Sequence, residues 1–404
     1  MSFVYRGPLA PDSALFVGRE AELGRIDGWL RGGDAVGLIL GGRQNGKTTL
    51  MLRARQQLGQ RYELLFVNLQ GATGAGEREC TRFIAERISD QLGRPCGADG
   101  ADLLRILRSA AESTPTRLGL FIDEIGALPD GTARWLAGTV RSVFTDRFVV
   151  PVFQRLTFVL AGGEEMMHLA VRGNSPLRNV ADSMYLGDLA PEHVAELLRA
   201  GGGPALAARA AEVHRATGGH PYFTQLVAEK LAAGGAVEDI VDEVVRVEDR
   251  NLPHIFHAVR DRGLERLVRR LAADERVAFS RSDDEVAVLE LIGVVRDEAG
   301  ACRGRCPIQL EAARRRYGIA APAVKASRQR AFADGHALLV GVGDYLHDEY
   351  ADLPATVRDV RALEQVLLDE ARCGYPPRQV ATLCGEQATL DGFEDGLAAL
   401  ARRS

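Results

Sequence analysis

Three observations along the chain predict an α/β fold with additional units. Apolar runs alternate with amphipathic helical stretches up to Leu186, strand signals then stop, and a β-α-β-α order returns in the last seventy residues. Continuous apolar strands alternating with helices indicate a parallel sheet covered on both faces. The strands expected are residues 35–40, 63–69, 117–122, 156–160 and 183–186. After them, "PEHVAELLRA" through "VEDIVDEVVRVEDRN" reads as a small all-helical unit, with glycines where helices stop. The stretch "EVAVLELIGVVRDEAGACRGRCPIQL" holds a helix, a strand, a Gly-containing turn and a second strand, the pattern of a winged helix. "GIAAPAVKASRQR" is aperiodic and carries proline, so it reads as a linker. The expected division is a core at 1–190, a helical lid at 191–250, a winged helix at 251–320, a linker at 321–333 and a final, partial α/β unit at 334–404.

Bulk properties narrow the class. A chain of 404 residues with 46% hydrophobic content has room for two or three ordinary soluble domains. No apolar run approaches the roughly eighteen residues that cross a bilayer. The start, "MSFVYRGPLAPDSALF", lacks the charged segment and apolar core of a secretion signal. A cytoplasmic protein without a membrane partner is therefore expected. A net charge of -5 gives no global attraction to nucleic acid or acidic lipid. Six scattered cysteines fit reduced thiols, and Cys302 and Cys306 lack the companions of a zinc site. Among 50 basic residues only Lys47, Lys230 and Lys325 are lysine. With abundant Ala, Gly and Leu this composition fits a GC-rich bacterial genome, and each lysine becomes informative.

The clearest chemistry lies at 41–48, "GGRQNGKT", which fits G-x-x-x-x-G-K-[ST] between a predicted strand and a predicted helix. Glycines let backbone N–H groups wrap a phosphate, and the helix N-terminus adds partial positive charge. The run Gly41, Gly42, Arg43, Gln44, Asn45, Gly46, Lys47, Thr48 and Thr49 is thus the expected phosphate cradle of a P-loop ATPase. Lys47 would set a compact ammonium against the β- and γ-phosphates, and Thr48 would ligate Mg²⁺. The run "LGLFIDEI" ends a buried strand in two acids. Asp123 is the expected metal partner, and Glu124 the group that orients or deprotonates the attacking water.

"FVGREAEL" (16–23), the phosphate loop, "FIDEI" and "TGGHPYFTQLV" (217–227) occur in an order that resembles the STAND class of AAA-related signalling ATPases, which includes origin-recognition-like and apoptotic-type nucleotide switches. The resemblance covers Phe16 to Gly318. It implies adenine contacts from Val17, Gly18 and Arg19, and a Gly-x-Pro lid motif at Gly219, His220 and Pro221 closing over base and sugar. It also implies ATP or ADP with Mg²⁺ as cofactors and a nucleotide-dependent homo-oligomer. Two departures stand out. The position of the usual polar sensor falls on Gly162 or Gly163 in "LAGGEE", which implies slow hydrolysis. The arginine finger is not fixed by spacing; Arg178 in "NSPLRN" is the candidate.

The strand "ALLVGVGDY" (337–345) lacks the third glycine of a dinucleotide fingerprint and is not followed at once by a helix. With "LPATVRDVRAL" and "GEQATLDGFEDGL" it resembles the opening βα units of a caspase-type, metacaspase-like peptidase. That resemblance implies a His-Gly after a third strand and a nucleophilic Cys after a fourth. No histidine follows His347, and neither Cys373 nor Cys384 is expected in a suitable strand-end setting, so no protease activity is expected from this chain.

The leading functional expectation is a slow, switch-like ATPase of bacterial signalling, defence or programmed cell death. It would answer an unknown protein trigger and regulate the caspase-like effector. The alternative is an origin-recognition-like ATPase that binds DNA through its winged helix, supported by the basic run Arg314, Arg315, Arg316, Lys325, Arg328 and Arg330. A housekeeping ATP-binding chaperone or motor is the third reading.

Overall fold

The computed structural model describes residues 3–33, 36–96, 102–247, 251–320, 335–343, 354–369, 373 and 375–402. Residues 1–321 and 322–404 form two compact units.

In the larger unit, β1 (Val36–Leu40), β2 (Glu63–Asn68), β3 (Leu118–Asp123), β4 (Leu156–Gly162) and β5 (Ala181–Tyr185) pair in parallel in the order β2-β3-β4-β1-β5. Helices α1 (Glu20–Gly32) and α2 (Lys47–Leu58) cover one face; α3 (Glu77–Leu92), α4 (Leu103–Glu112) and α5 (Asp130–Asp146) cover the other. The strands feed both cores by simple alternation. Ile39, Phe121 and Val159 join the side of α1 and α2, while Leu38, Leu40, Leu120, Ile122 and Leu160 join the opposite core. This two-sided burial is why the strands read as continuous apolar runs.

The predicted strands all form, with ends displaced by one or two residues. β4 runs two residues further than expected, to Gly162, and β5 starts two residues earlier, at Ala181 and not at residue 183. Ala181 and Asp182, on the edge strand of the sheet, pair with Val36 and Gly37. Asp182 is satisfied there by Trp29 Nε1 at 2.7 Å and by the Arg25 guanidinium, so charge does not exclude it from the strand.

Four helices follow: α6 (Pro191–Ala207), α7 (Ala210–Thr217), α8 (Pro221–Ala232) and α9 (Val237–Arg246). Then come α10 (Asn251–Asp261), α11 (Glu265–Ala272) and α12 (Asp284–Ile292), the antiparallel hairpin of β6 (Val295–Glu298) and β7 (Ala301–Gly304), and α13 (Pro307–Tyr317). An isolated bridge between Ala278 and Ala301 adds a third strand position to the hairpin, a winged-helix arrangement. One continuous apolar core runs through the sheet, the four lid helices and the winged helix.

In the smaller unit, β8 (Ala337–Gly341) and β9 (Val380–Cys384) pair in parallel, with α14 (Pro354–Leu368) and α15 (Leu390–Ala401). Gly341 faces Val360 and Thr356 of α14, whereas Gly396 of α15 faces Leu338 and Leu383. The two helices therefore lie on opposite faces. Cys384 ends β9, which runs up to the left-handed turn at Gly385. It ends the second strand of this unit, whereas the caspase resemblance places a nucleophile after a fourth. The expected linker at 321–333 lies outside the described residues, as do His347, Lys325, Arg328 and Arg330. No helix among the described residues is long and apolar enough to cross a membrane.

Candidate nucleotide site

The strand order fixes where the site forms. β1 and β3 are not neighbours, because β4 lies between them, so the phosphate loop after β1, the turn after β4 and the acids ending β3 converge at one edge. They line a cavity of about 640 Å³, within the usual range for small-molecule sites.

Arg43, Gln44, Asn45, Gly46, Lys47, Thr48 and Thr49 line this cleft. Gly41 and Gly42 do not; their carbonyls turn back and accept from Lys47 Nζ at 2.9 and 2.8 Å. Thr48 Oγ1 donates to Asp123 Oδ2 at 2.6 Å, the hydroxyl–carboxylate pair expected from the motif. Glu124 projects at the same edge with left-handed φ of 57°, its N–H donating to Asp123 Oδ1 at 3.0 Å. A non-glycine residue held there stores strain, as does Gln44 at φ 61°. Burial lowers the Lys47 pKa against the opposing pull of Glu165, Asp123 and Glu124. Burial also raises both Asp123 and Glu124, and the Asp123 charge raises Glu124 further.

The end of the cleft away from the β3 acids is largely apolar. Val17, Arg19, Leu189, Leu197, Pro221 and Tyr222 line it. Arg19 points its guanidinium at Gly187 O (2.8 Å) and Glu22 (2.9 Å), tying the segment to the chain after β5. Gly219 has φ 76°, and a Cβ there would lie 2.0 Å from Leu189 O, so the lid meets the core backbone to backbone. His220 departs from expectation. It does not line the cleft but lies 1% exposed behind the phosphate loop. Burial lowers its pKa to about 4, so the ring is neutral, and its Nδ1 has no hydrogen-bond partner among the described residues. Arg178 is exposed and lies outside the cleft lining.

Three contributors escaped the sequence reading. The first is the N-terminal segment, which lines the cleft from Val4 to Leu9 and again at Leu15 and Phe16. It is pinned to the lid by Val4 N–H on Gln225 Oε1 (3.0 Å), and to α2 by Leu9 N–H on Thr49 Oγ1 (3.2 Å).

The second is the winged helix, which closes the phosphate end with His254, Ile255 and Ala258 of α10 and with Leu291 and Ile292 of α12. Asn251 Nδ2 donates to Gln44 Oε1 at 2.6 Å. Gly42 packs so closely that a Cβ would lie 2.5 Å from Ile292 O. Arg281 pairs with Glu290 through two 2.7 Å bonds and stacks on Tyr185, 3.9 Å from the ring centre.

The third is a buried polar node. Arg305 Nε donates to both carboxylate oxygens of Asp188 (2.9 and 2.8 Å), and Nη2 donates to Leu186 O (2.7 Å). The amide orientation of Asn45 that satisfies its neighbours sets its oxygen 2.7 and 2.5 Å from the Arg305 guanidinium and its nitrogen 3.2 Å from His220 Nε2. The node ties phosphate loop, β5, lid and winged helix together.

The described arginines of the basic run behind the DNA reading are engaged within the protein. Arg314 Nε donates to Ala272 O, Arg315 pairs with Asp242 and Glu311, and Arg316 stacks on Phe256. Helix α12, which precedes the wing, is buried from Val286 to Ile292 and exposes only Asp284 and Glu285, the wrong charge for a phosphate backbone.

Comparison with known proteins agrees with this geometry. A Walker-type ATPase of Pyrococcus abyssi matches at 14% identity with a TM-score of 0.58, over 76% of this chain and 99% of that one. The fold is that of a Walker-type P-loop ATPase. The ORC2 protein of Aeropyrum pernix, solved as ADPNP–ADP complexes, matches at 14% identity and a TM-score of 0.44 over 81% of this chain and 95% of that one. A STAND protein with a tetratricopeptide repeat sensor from Pyrococcus horikoshii matches at 16% identity and 0.39 over 74% and 42%. No protein-family model and no curated protein sequence matches the chain.

Proposed function

We propose that this chain is an ATP-binding, STAND-type switch with slow hydrolysis, whose closed form has the winged helix docked on the phosphate loop. The observation that carries the reading is the direct contact of α10 and α12 with that loop through Asn251–Gln44 and Ile292–Gly42. In a signalling ATPase such docking lets the γ-phosphate and the winged helix compete for neighbouring space. A nucleotide then shifts the equilibrium by its differential affinity for docked and released forms.

The residues divide the work. Backbone N–H groups of the loop and the start of α2 hold the phosphates, and Lys47 exchanges its two carbonyl partners for phosphate oxygens. Thr48 and Asp123 form a hard oxygen pair that suits Mg²⁺ together with nucleotide phosphates. The metal would neutralise phosphate charge there. Glu124, held in place by its strained backbone, would orient or deprotonate water. Val17, Arg19, Pro221 and the N-terminal segment would enclose the base. His220 would act as a support behind the loop and not as a ligand. Arg178, exposed as it is, would serve only in a neighbouring subunit of an assembled homo-oligomer.

We further assign the 334–404 unit as the opening part of a caspase-like effector, with the switch acting in the cytoplasm in response to a protein trigger. The test is size-exclusion chromatography with light scattering in ADP and in a non-hydrolysable ATP analogue. The analogue should raise the assembly state and ADP should not, and Lys47→Ala should lose the response. Identical profiles in every condition would refute the switch.

A further inference from the structure

The sequence places a glycine where related ATPases place a polar sensor, but the turn after β4 returns a different side chain to that position. Met166 N–H bonds Gly163 O at 3.1 Å, so residues 163–166 form a tight turn. Within it Glu165 Oε1 accepts from Gly163 N–H at 2.8 Å, which folds the carboxylate back into the cleft. The missing side chains at Gly126 and Gly162 leave it room, since a Cβ at either would lie within 3.0 Å of the Glu165 carboxyl group. Glu165 therefore faces the cleft beside Lys47, Asp123 and Glu124. Its charge is felt by all three.

We infer that Glu165 is a charge gate that makes the site favour a nucleoside diphosphate over the triphosphate, and that its neighbour Glu164 passes this preference to the winged helix. The inference rests on the nucleotide-binding reading above. A diphosphate on the loop and Lys47 ends short of the β4 turn. A γ-phosphate adds negative charge next to Glu165, where the surrounding groups already include two further carboxylates against the Lys47 ammonium and the Arg43 guanidinium. At an effective dielectric near that of a protein surface, such a contact is worth about tenfold or more in affinity.

Glu164, adjacent in the same turn, forms an ion pair with Arg262 at 3.3 Å. Arg262 lies in the short connection between α10 and α11, the helix pair that bears the cleft-lining α10 residues. Both carboxylates belong to the tight turn at 163–166, so a shift of that turn that carries Glu165 away from a γ-phosphate would also draw Glu164 from Arg262 and loosen α10.

The test is competition of ADP and of ATP against a fluorescent ADP, without and with Mg²⁺, on the full chain and on Glu165→Gln. Wild type should prefer ADP to ATP by at least about tenfold without the metal, and Glu165→Gln should narrow that ratio by about tenfold. If wild type binds neither nucleotide, the nucleotide reading itself fails. If both bind and the variant's ADP-to-ATP ratio stays within about twofold of the wild-type ratio, the gate alone is overturned. Hydrogen exchange over 251–263 tests the relay. Wild type should be protected with ADP and open with a non-hydrolysable ATP analogue, and Glu164→Gln should be open with both. Protection of Glu164→Gln in ADP equal to wild type would overturn the relay.

Discussion

Two stretches of this chain begin alike: an apolar strand running into glycines at Val36–Gly42, and another at Ala337–Gly343. In the first, every residue of β1 is buried and the helix α2 starts five residues after Gly42, at Lys47. In the second, β8 is half-buried except at Gly341 and, among the described residues, has one partner strand, β9. The difference teaches that a strand and a glycine turn do not make a phosphate site. What makes one is the helix N-terminus aimed at the turn, plus neighbouring strands that deliver a lysine, a hydroxyl and acids to the same edge. The two units also differ in depth of core. Phe121 and Leu38 are inaccessible in the larger one, whereas Leu390, Phe393 and Leu397 stay exposed along α15 in the smaller.

The comparison can be broken in order of effect. The buried pair of Arg305 and Asp188 belongs to the larger unit, and both side chains are less than a tenth exposed. Arg305→Met strands Asp188 and should cost the larger unit about 3–5 kcal/mol in urea unfolding, without moving the smaller unit's transition. Equal loss in both transitions would contradict their separation. Next is pH. His220 is neutral when folded, with its pKa lowered to about 4, so the unfolded chain binds more protons as pH falls below about 6.5. Stability of the larger unit should therefore drop by about 2 kcal/mol between pH 8 and pH 5, and His220→Gln should flatten that slope. The smallest effect is expected on α15, where Phe393→Ser should change stability by less than about 0.5 kcal/mol.

Much of this arrangement was legible before the fold was known. Strands buried on both faces announce themselves as continuous apolar runs, and the phosphate loop, Asp123 and Glu124 follow from motif and strand end. The rest depends on contacts between residues far apart in sequence. Arg305 meets Asn45 across more than two hundred residues, and one arginine among so many carries no local signal. The N-terminal segment has buried Phe3, Leu9 and Leu15 but no helix or strand period to reveal them. His220 reads as a ligand because its neighbours in the motif line the cleft, whereas its own ring turns inward. Glu165 was masked by the glycines before it, which mark the sensor position in sequence but yield it in space.

The central claim is that nucleotide decides whether the winged helix stays on the phosphate loop. It is tested most directly by spin labels at Glu20 on α1 and Glu298 on the wing, both exposed, with the distance distribution measured by pulsed electron resonance. The account predicts one short, narrow distribution with ADP and a longer, broader one with a non-hydrolysable ATP analogue and Mg²⁺. The same narrow distribution with both nucleotides would contradict it.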